Sequence, residues 1–283
     1  MNTKEEKPTP TGARIVHFDI DRAAVGRTIT PDLAVVGDLR TTLPELARRT
    51  SDTEHGEWRR VLAQWSREVD CDAEAAFSIG PLGARQAVRA IARRVGSTDA
   101  IVVTNVGQHQ MWLAQELPDM SPRSHLTSGG LGTMGYALPA AIGAAMGRPD
   151  RPVWVVAGDG GFQMTLQELA TVAQERLPLR IAVVNNGFLG MVRQWQERFY
   201  GGRYSATELS APDLVRLASA FDIPGYRVDR AEDLEATLDD VVRADGPVLV
   251  DLRVTRKENV YPMVPPGAPL HEVVLGPDVM APS

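Results

Sequence analysis

Two short motifs, each directly after an apolar run, carry residues that could bind a metal ion and a diphosphate. Asp159 lies in a Gly-Asp-Gly motif after Val153–Ala157, and Asn186 ends an Asn-Asn pair after Ile181–Val184. Twenty-four residues, 161 to 184, separate the two motifs. A carboxylate and an amide oxygen suit Mg²⁺, which retains water and takes further oxygens from ligand phosphates. The glycines beside Asp159 allow the backbone to approach a diphosphate closely.

The surrounding sequence predicts how these residues are positioned. Both apolar runs are rich in β-branched residues, which is typical of buried strands in a parallel sheet. The intervening segment 165–176 has helical spacing, so the unit reads as strand, helix, strand. Ligands of open α/β sheets bind outside the carboxyl ends of the strands, so Asp159 and Asn186 should converge on one point. Asp-Gly is also a common turn pair, and the metal-site prediction therefore depends on the strands, the spacing and the Asn pair together.

A Gln-His-Gln cluster follows another predicted strand, at 100–104. Gln108 and His109 would then lie at a carboxyl end, where they could donate hydrogen bonds to phosphate oxygens. The alternative is the start of a capped helix with a surface histidine. The residue chemistry alone favours neither interpretation.

Two further segments have both a functional and a structural interpretation. The glycine-rich stretch Thr127–Gly135 is either a tight packing loop or a backbone that approaches a flat ring, with Met134 as an adaptable apolar wedge. In the helix predicted after Asn186, Met191 and Trp195 are four residues apart and share one face. Such a pair usually belongs to the core, but its place beside the metal motif favours a pocket wall.

The order of elements predicts an α/β fold. From residue 81 to 256 we expect a parallel six-stranded sheet with helices on both faces, because strands and helices alternate. The predicted helices are 81–95, 109–116, 133–147, 165–176, 190–199, 212–221 and 231–243, and the assigned strands are 100–104, 153–157, 180–185 and 247–254.

The segment 14–52 indicates the end of a separate α/β domain, because two strands cannot form a stable sheet alone. It contains predicted strands at 14–20 and 33–36, a short helix from Arg22, and a helix at 42–49 with Pro44 in its first turn. The remaining predicted parts are a disordered N-terminus at 1–13, a helix and polar linker at 53–80, and a proline-rich tail at 257–283.

Composition excludes several classes of protein. The 283 residues are 43% hydrophobic, enough for a sizeable core. The net charge is −6, and no basic stripe in the sequence marks a nucleic-acid surface. Cys71 is the only cysteine, which suits a reducing compartment. The first thirteen residues lack the apolar centre of a signal peptide, and Leu131–Gly147 is short for a membrane span. We expect a cytoplasmic protein without nucleic-acid or membrane partners.

Taken together, the motifs resemble those of the catalytic subunit of acetolactate synthase (acetohydroxyacid synthase), a thiamine diphosphate-dependent enzyme. The resembling segments, between residues 14 and 275, are GQHQMW, TSGGLGTMGYALPAAIGA, GDGGFQM, NNGFLGMVRQWQ and KENVYPMVPPGA. Simple thiamine diphosphate decarboxylases share GDG and NN but not GMVRQWQ or the KENVYPMVPPGA segment, so the resemblance is specific.

The resemblance implies roles for particular residues. Mg²⁺ would be bound by Asp159, Asn186 and the backbone carbonyl of Phe188. The cofactor would be contacted by Gln108, His109, Gly132, Met134, Gly158, Gly160, Gly161, Asn186, Gly190 and Met191. Met191, Val192 and Trp195 would line the substrate pocket, where Trp195 would favour a slightly larger second 2-keto acid. Asp19, Ile20 and Asp38 match positions near the nucleotide end of the family's flavin site.

The implied reaction condenses pyruvate with pyruvate or 2-ketobutyrate and releases CO₂, in branched-chain amino-acid biosynthesis. The family's catalytic subunit is about twice this long, and its activating glutamate belongs to an N-terminal domain that this chain does not match. We therefore expect no catalytic residue here, a homo- or hetero-oligomer with a chain that supplies the pyrimidine-binding half, and a small regulatory subunit as a further candidate partner. FAD would bind only in the complete assembly. The alternatives are another thiamine diphosphate carboligase or decarboxylase, and an inactive truncated cofactor-binding fragment.

Overall fold

A computed structural model describes residues 13–51, 55–74, 80–210, 212–277 and 279–280. The chain forms two compact units. Residues up to Asp72 and from Tyr261 onward make up the smaller unit, and Ala73–Val260 make up the larger one.

The larger unit is built on a six-stranded sheet in which every pairing is parallel, as the sequence predicted. Its strands are β3 (Ile101–Thr104), β4 (His125–Thr127), β5 (Val153–Gly158), β6 (Leu179–Asn185), β7 (Gly225–Val228) and β8 (Val248–Arg253). Their order across the sheet is β4-β3-β5-β6-β8-β7. The central strands β5 and β6 are almost wholly buried, which explains their continuous apolar sequences.

Helices cover both faces of this sheet. They are α3 (Ala84–Gly96), α4 (Gln108–Glu116), α5 (Ala137–Gly147), α6 (Asp159–Gln163), α7 (Leu169–Gln174), α8 (Gly190–Phe199), α9 (Leu214–Ser219) and α10 (Leu234–Arg243). Alternate strand residues point to opposite faces, so Trp154 and Val156 pack in the core with α3, α4 and α10. Val153 and Val155 pack in a second core with α5, α7 and α9.

The register of β5 and β6 places both metal motifs at one edge of the sheet. Gly158, the last residue of β5, pairs with Val184 of β6. Asp159 therefore lies just beyond the end of β5, level with Asn185, which directly precedes Asn186 in the chain. The helix α6 starts at Asp159 itself, so the carboxylate also lies in the first turn of a helix.

Several predicted elements differ from the structure. The helix predicted at 133–147 begins only at Ala137, because Gly135 has a φ of +83° that a helix does not accommodate. The helix predicted at 165–176 is a 3₁₀ turn, Leu166–Glu168, followed by α7. The edge strands β4 and β7 received no strand assignment from the sequence; they are short and only partly buried, and β7 contains Arg227.

The smaller unit contains a parallel pair, β1 (Val16–Asp19) and β2 (Leu33–Val36), followed by α1 (Leu39–Arg49) and all but the last two residues of α2 (Gly56–Glu74). The helix predicted from Arg22 is wrong, because residues 22–26 form turns. Pro44 lies inside α1 rather than in its first turn, because Asp38 caps the helix three residues earlier than predicted.

The linker predicted from Asp70 is helical to Glu74, and residues 75–79 lie outside the described part. The antiparallel pair β9 (Val274–Gly276) and β10 (Val279–Met280) lies in the predicted tail. The N-terminal residues 1–12, predicted to be disordered, also lie outside the described residues, and the predicted domain boundaries stay predictions. No helix of the described residues combines the length and the apolar character that a membrane crossing requires.

Candidate functional site

The two motifs meet at the carboxyl edge of the sheet. The backbone N–H of Gly187 donates to Oδ2 of Asp159 at 3.1 Å, so the loop after β6 is bonded directly to the carboxylate after β5. A cavity of about 210 Å³ opens at this point. It is lined by every residue predicted to bind the metal or the cofactor, namely Gln108, His109, Gly132, Met134, Gly158, Asp159, Gly160, Gly161, Asn186, Phe188, Gly190 and Met191.

Asp159 is a buried carboxylate, only 1% exposed. Burial raises its pKa to about 6, although backbone N–H groups of Gly160 and Gly187 act in the opposite direction. The negative charge of Asp251 raises the pKa further. In the described part of the chain, Asp159 forms no ion pair with a cationic side chain. A buried carboxylate in that state is costly, and a divalent cation at this position would supply the missing charge.

Asn186 is held with its amide in a defined orientation. Its Oδ1 accepts a hydrogen bond from the backbone N–H of Phe188 at 3.0 Å, and its Nδ2 donates to Oε1 of Gln108 at 3.4 Å. A carbonyl oxygen has two lone pairs, so Oδ1 of Asn186 retains acceptor capacity for a cation.

His109 is 5% exposed and is therefore not the surface residue of the alternative interpretation. Its ring is hydrogen-bonded to the backbone of Asn105, while Nε2 is buried with no hydrogen-bond partner among the described residues. Burial lowers its pKa to about 4. Orphaned buried polar atoms are rare in proteins, and this one lies on the wall of the cavity, where a ligand oxygen would give it a partner.

The glycines of the site are needed for close packing. A Cβ on Gly190 would lie 2.1 Å from Oε1 of Gln108, and one on Gly161 would lie 2.4 Å from Nδ2 of Asn105. A Cβ on Gly158 would lie 3.1 Å from the ring of His109. Larger residues at these positions would displace polar side chains of the site.

The glycine-rich loop before α5 reaches the same cavity through Gly132 and Met134. Its conformation is fixed by Asn105, whose Oδ1 accepts from the backbone N–H of Gly135 at 2.8 Å. Asn105 is buried and was missed by the sequence analysis. The available signal was its position, since it follows β3 directly as Asn186 closely follows β6.

The helix α8 carries the predicted substrate pocket. Met191 and Val192 line the cofactor cavity and also a neighbouring apolar cavity of about 550 Å³. Trp195 lines the second cavity but not the cofactor cavity. Trp195 is 38% exposed, with its ring edge-on to Phe199 at 5.2 Å. Trp195 is thus not a core residue in this structure, and its role in substrate choice stays a prediction.

Two further acidic side chains, Glu197 and Asp251, are hydrogen-bonded to other side chains of the protein. Burial would raise the pKa of Glu197, but hydrogen bonds from Asn259 and Tyr204 and the charge of Arg193 lower it below its usual range. Asp251, also missed by the sequence analysis, is fully buried in β8 and accepts from Nδ2 of Asn185 at 2.8 Å. The signal for Asp251 was a charged residue inside an apolar strand.

The residues predicted for a flavin site belong to the smaller unit. Asp19 ends β1, and Asp38 follows β2 as the cap of α1. The carboxylate of Asp38 accepts hydrogen bonds from the guanidinium and from the backbone N–H of Arg40, which lowers the pKa of the carboxyl group. Ile20 is largely exposed. These positions agree with strand ends, and flavin binding stays a prediction.

Comparison with known families decides the classification of the site. The family described as "Thiamine pyrophosphate enzyme, C-terminal TPP binding domain" matches residues 105–252, just over half of the chain. The chain belongs to the thiamine pyrophosphate enzyme family. The match begins directly after β3 and includes β5 and β6, and therefore the segments after these strands that form the cavity. Thiamine pyrophosphate is another name for thiamine diphosphate.

Similar proteins extend the likeness beyond the matched domain. Over 90% of its length the chain is 42% identical to the acetolactate synthase large subunit of Parasynechococcus marenigrum, of which it covers 42%. It is 41% identical to the acetolactate synthase isozyme 2 large subunit of Escherichia coli, over 93% of this chain and 47% of that one. An acetolactate synthase of Mycobacterium avium is 40% identical, over 92% of this chain and 44% of its own. The chain thus spans less than half the length of these relatives.

Proposed function

We propose that this chain supplies the Mg²⁺ and thiamine diphosphate half of an acetolactate synthase active site. The observation that carries the proposal is the convergence of Asp159, Asn186, Gln108, His109 and Met134 on one cavity. The likeness to acetolactate synthase large subunits over nine tenths of the chain supports this activity over other carboligases.

The residues fit a diphosphate bound through a cation. Asp159 and Asn186 present oxygen atoms, and the backbone carbonyl of Phe188 is a third candidate ligand in the same wall. Mg²⁺ needs few protein ligands when a diphosphate completes its shell. The unpartnered Nε2 of His109 gives a diphosphate oxygen a binding position, and a proton on this nitrogen would be stabilised by the diphosphate charge.

When bound, thiamine diphosphate supplies the nucleophilic carbon that adds to a 2-keto acid and stores the electrons released as CO₂ leaves. The residues of this chain hold and orient the reactants. Met134 would pack against the cofactor ring, while Met191 and Val192 would separate the cofactor cavity from the apolar cavity beside Trp195. The acceptor would be a second 2-keto acid, pyruvate or 2-ketobutyrate, which makes the enzyme a transferase.

The site needs a further acidic group from another chain or domain. Among the described residues that line the cofactor cavity, Asp159 is the only carboxylate, and a metal ligand cannot also donate a proton to the pyrimidine ring. We therefore infer that a pyrimidine-binding partner in a homo- or hetero-oligomer completes the site. FAD in that assembly, a small regulatory subunit, a role in isoleucine and valine biosynthesis and a cytoplasmic location are parts of the same proposal.

Calorimetry tests the binding half of the proposal. The purified chain should bind thiamine diphosphate with Mg²⁺ present and lose this binding in excess chelator. Wild-type affinity in chelator would contradict the assigned metal role.

A reconstitution assay tests the reaction. The chain is incubated with pyruvate, alone and with 2-ketobutyrate, in the presence and absence of a protein carrying the pyrimidine-binding domain of a relative. We expect acetolactate only with both components. Acetaldehyde as the main product would favour a decarboxylase, and full activity of the chain alone would refute the need for a partner.

A further inference from the structure

A chain of buried side-chain amides connects the predicted metal ligand to the backbone on the far side of α8. Nε2 of Gln108 donates to Oε1 of Gln194 at 2.8 Å and to the backbone carbonyl of Glu258 at 2.9 Å. Gln194 is completely buried and bonds to both polar groups of the Val260 backbone. Its Nε2 donates to the Val260 carbonyl at 3.1 Å, and its Oε1 accepts from the Val260 N–H at 2.9 Å.

The backbone groups determine how each amide is turned. An N–H can only donate and a carbonyl can only accept, so Val260 fixes which end of the Gln194 amide is oxygen. That oxygen and the Glu258 carbonyl are both acceptors, and they require Gln108 to present its NH₂ group to them. Oε1 of Gln108 is then left facing Asn186, which must offer Nδ2.

The final step concerns the metal. With Nδ2 of Asn186 turned towards Gln108, its Oδ1 accepts a hydrogen bond from the N–H of Phe188. Asn186 lines the cavity, so this oxygen is the atom that can coordinate the cation. A flipped Asn186 would present an NH₂ group to the cation and could not bind it. Both N–H groups of the Gln108 amide are also used by protein acceptors, so its side chain acts here on Asn186 rather than on a ligand.

We propose that Gln194 is a positioning residue for the metal site: through Gln108 it sets the orientation of the Asn186 amide. This inference rests on the proposed metal function of Asn186. Gln194 does not line the cofactor cavity, so an effect of its replacement on metal affinity would be indirect. Gln108 is its hydrogen-bonded neighbour that in turn contacts Asn186.

Substitution of Gln194 by two residues separates orientation from packing. Gln194→Met keeps the length of the side chain but removes the acceptor for Gln108. Gln194→Glu keeps that acceptor in either protonation state, and it also keeps the acceptor for the Val260 N–H. Loss of an outer partner of a metal ligand typically weakens metal binding by about 10–100-fold. Gln194 is one residue further from the metal than such a partner, and the Glu258 carbonyl still holds Gln108. We therefore expect a loss of about tenfold for Gln194→Met, at the lower end of that range.

The chain offers a matched control two residues further along α8. Gln196 bonds to the backbone of Ser205 in the same pattern, through its Nε2 to the carbonyl at 3.0 Å and through its Oε1 from the N–H at 2.9 Å. None of the Gln196 hydrogen bonds involves Gln108 or Asn186. Gln196→Met therefore reproduces the loss of two backbone bonds without touching the amide chain.

The measurement is the dissociation constant of Mn²⁺ from the full chain with saturating thiamine diphosphate, read from the electron paramagnetic resonance signal of free Mn²⁺. We expect weaker binding for Gln194→Met and near wild-type binding for Gln194→Glu and Gln196→Met, with thermal unfolding recorded for each. Wild-type affinity in Gln194→Met, or equal losses in Gln194→Met and Gln194→Glu, would overturn the orientation role while leaving the metal site intact. Absence of saturable Mn²⁺ binding in the wild-type chain would refute the metal site itself, and the orientation role with it.

Discussion

Replacement of Asp159 by asparagine should make the metal-free chain more stable while destroying its metal site. The carboxyl group has its pKa raised from 3.8 to about 6, with burial as the main cause. A carboxyl group whose pKa is raised by folding binds its proton more tightly in the folded chain than in the unfolded chain. Its contribution to the free energy of unfolding is fully present below pH 3.8 and is lost as the pH rises through about 6. At neutral pH, a shift of about two units corresponds to a cost of about 3 kcal/mol.

Asparagine avoids this cost because it carries no charge at any pH, and its Oδ1 can still accept the N–H of Gly187. We therefore expect Asp159→Asn to raise the free energy of unfolding in chelator at pH 7.5 by up to about 3 kcal/mol. The advantage should shrink towards zero near pH 4. The measurement is urea unfolding of both proteins, followed by circular dichroism between pH 4 and pH 8.

The same proteins are then unfolded with Mg²⁺ and thiamine diphosphate. Ligands at about 100 times their dissociation constant should stabilise the wild type by about 2.7 kcal/mol and should leave Asp159→Asn unchanged. Asp150→Asn is the control, because Asp150 is exposed and the hydrogen bond from Arg148 lowers its pKa to about 2. This variant should gain no stability at pH 7.5. A less stable Asp159→Asn in chelator would refute the assignment of a charge-burial cost to this residue.

Three further predictions concern the cavity walls. Gly190→Ala should lose Mg²⁺-dependent thiamine diphosphate binding in calorimetry, because its Cβ would lie 2.1 Å from Oε1 of Gln108, whereas Gly143→Ala, which has open space, should bind normally. Asn186→Ala should weaken the same binding less than Asp159→Ala does, since it removes a neutral rather than a charged ligand, and equal losses would contradict that ranking. In the reconstituted enzyme, Trp195→Leu should reduce the preference for 2-ketobutyrate over pyruvate by about 1–3 kcal/mol, the contribution of one methylene; an unchanged product ratio would remove Trp195 from the acceptor pocket.

The strand-end residues of the site were predictable because their positions follow from local patterns. The apolar runs before Asp159 and Asn186 are long enough to be recognised as strands, and parallel strands carry their carboxyl ends to one edge. The elements that were missed have weaker patterns. Three residues, His125–Thr127, form all of β4, and the Gly-Tyr-Arg-Val sequence of β7 pairs only along one edge of the sheet.

Helix boundaries near the site depended on backbone geometry that composition does not reveal. Glycine and methionine in residues 132–136 are compatible with either a loop or a helix start, and the decision is made by Asn105. Its side chain accepts the N–H of Gly135 from 30 positions away. A local sequence pattern contains no information about such a partner.

The amide chain behind Asn186 illustrates the same limit more strongly. Gln108 bonds to partners 86 and 150 positions further along the sequence, so no motif around either glutamine predicts the pairing. The sequence offered Gln108 as a direct ligand of the diphosphate, whereas in the fold its NH₂ group is already occupied by protein acceptors. Its backbone N–H, at the first residue of α4, has no helical acceptor and is the group that a diphosphate oxygen could use. The glutamine side chain is then free to orient the metal ligand, and both functions can be served by one residue.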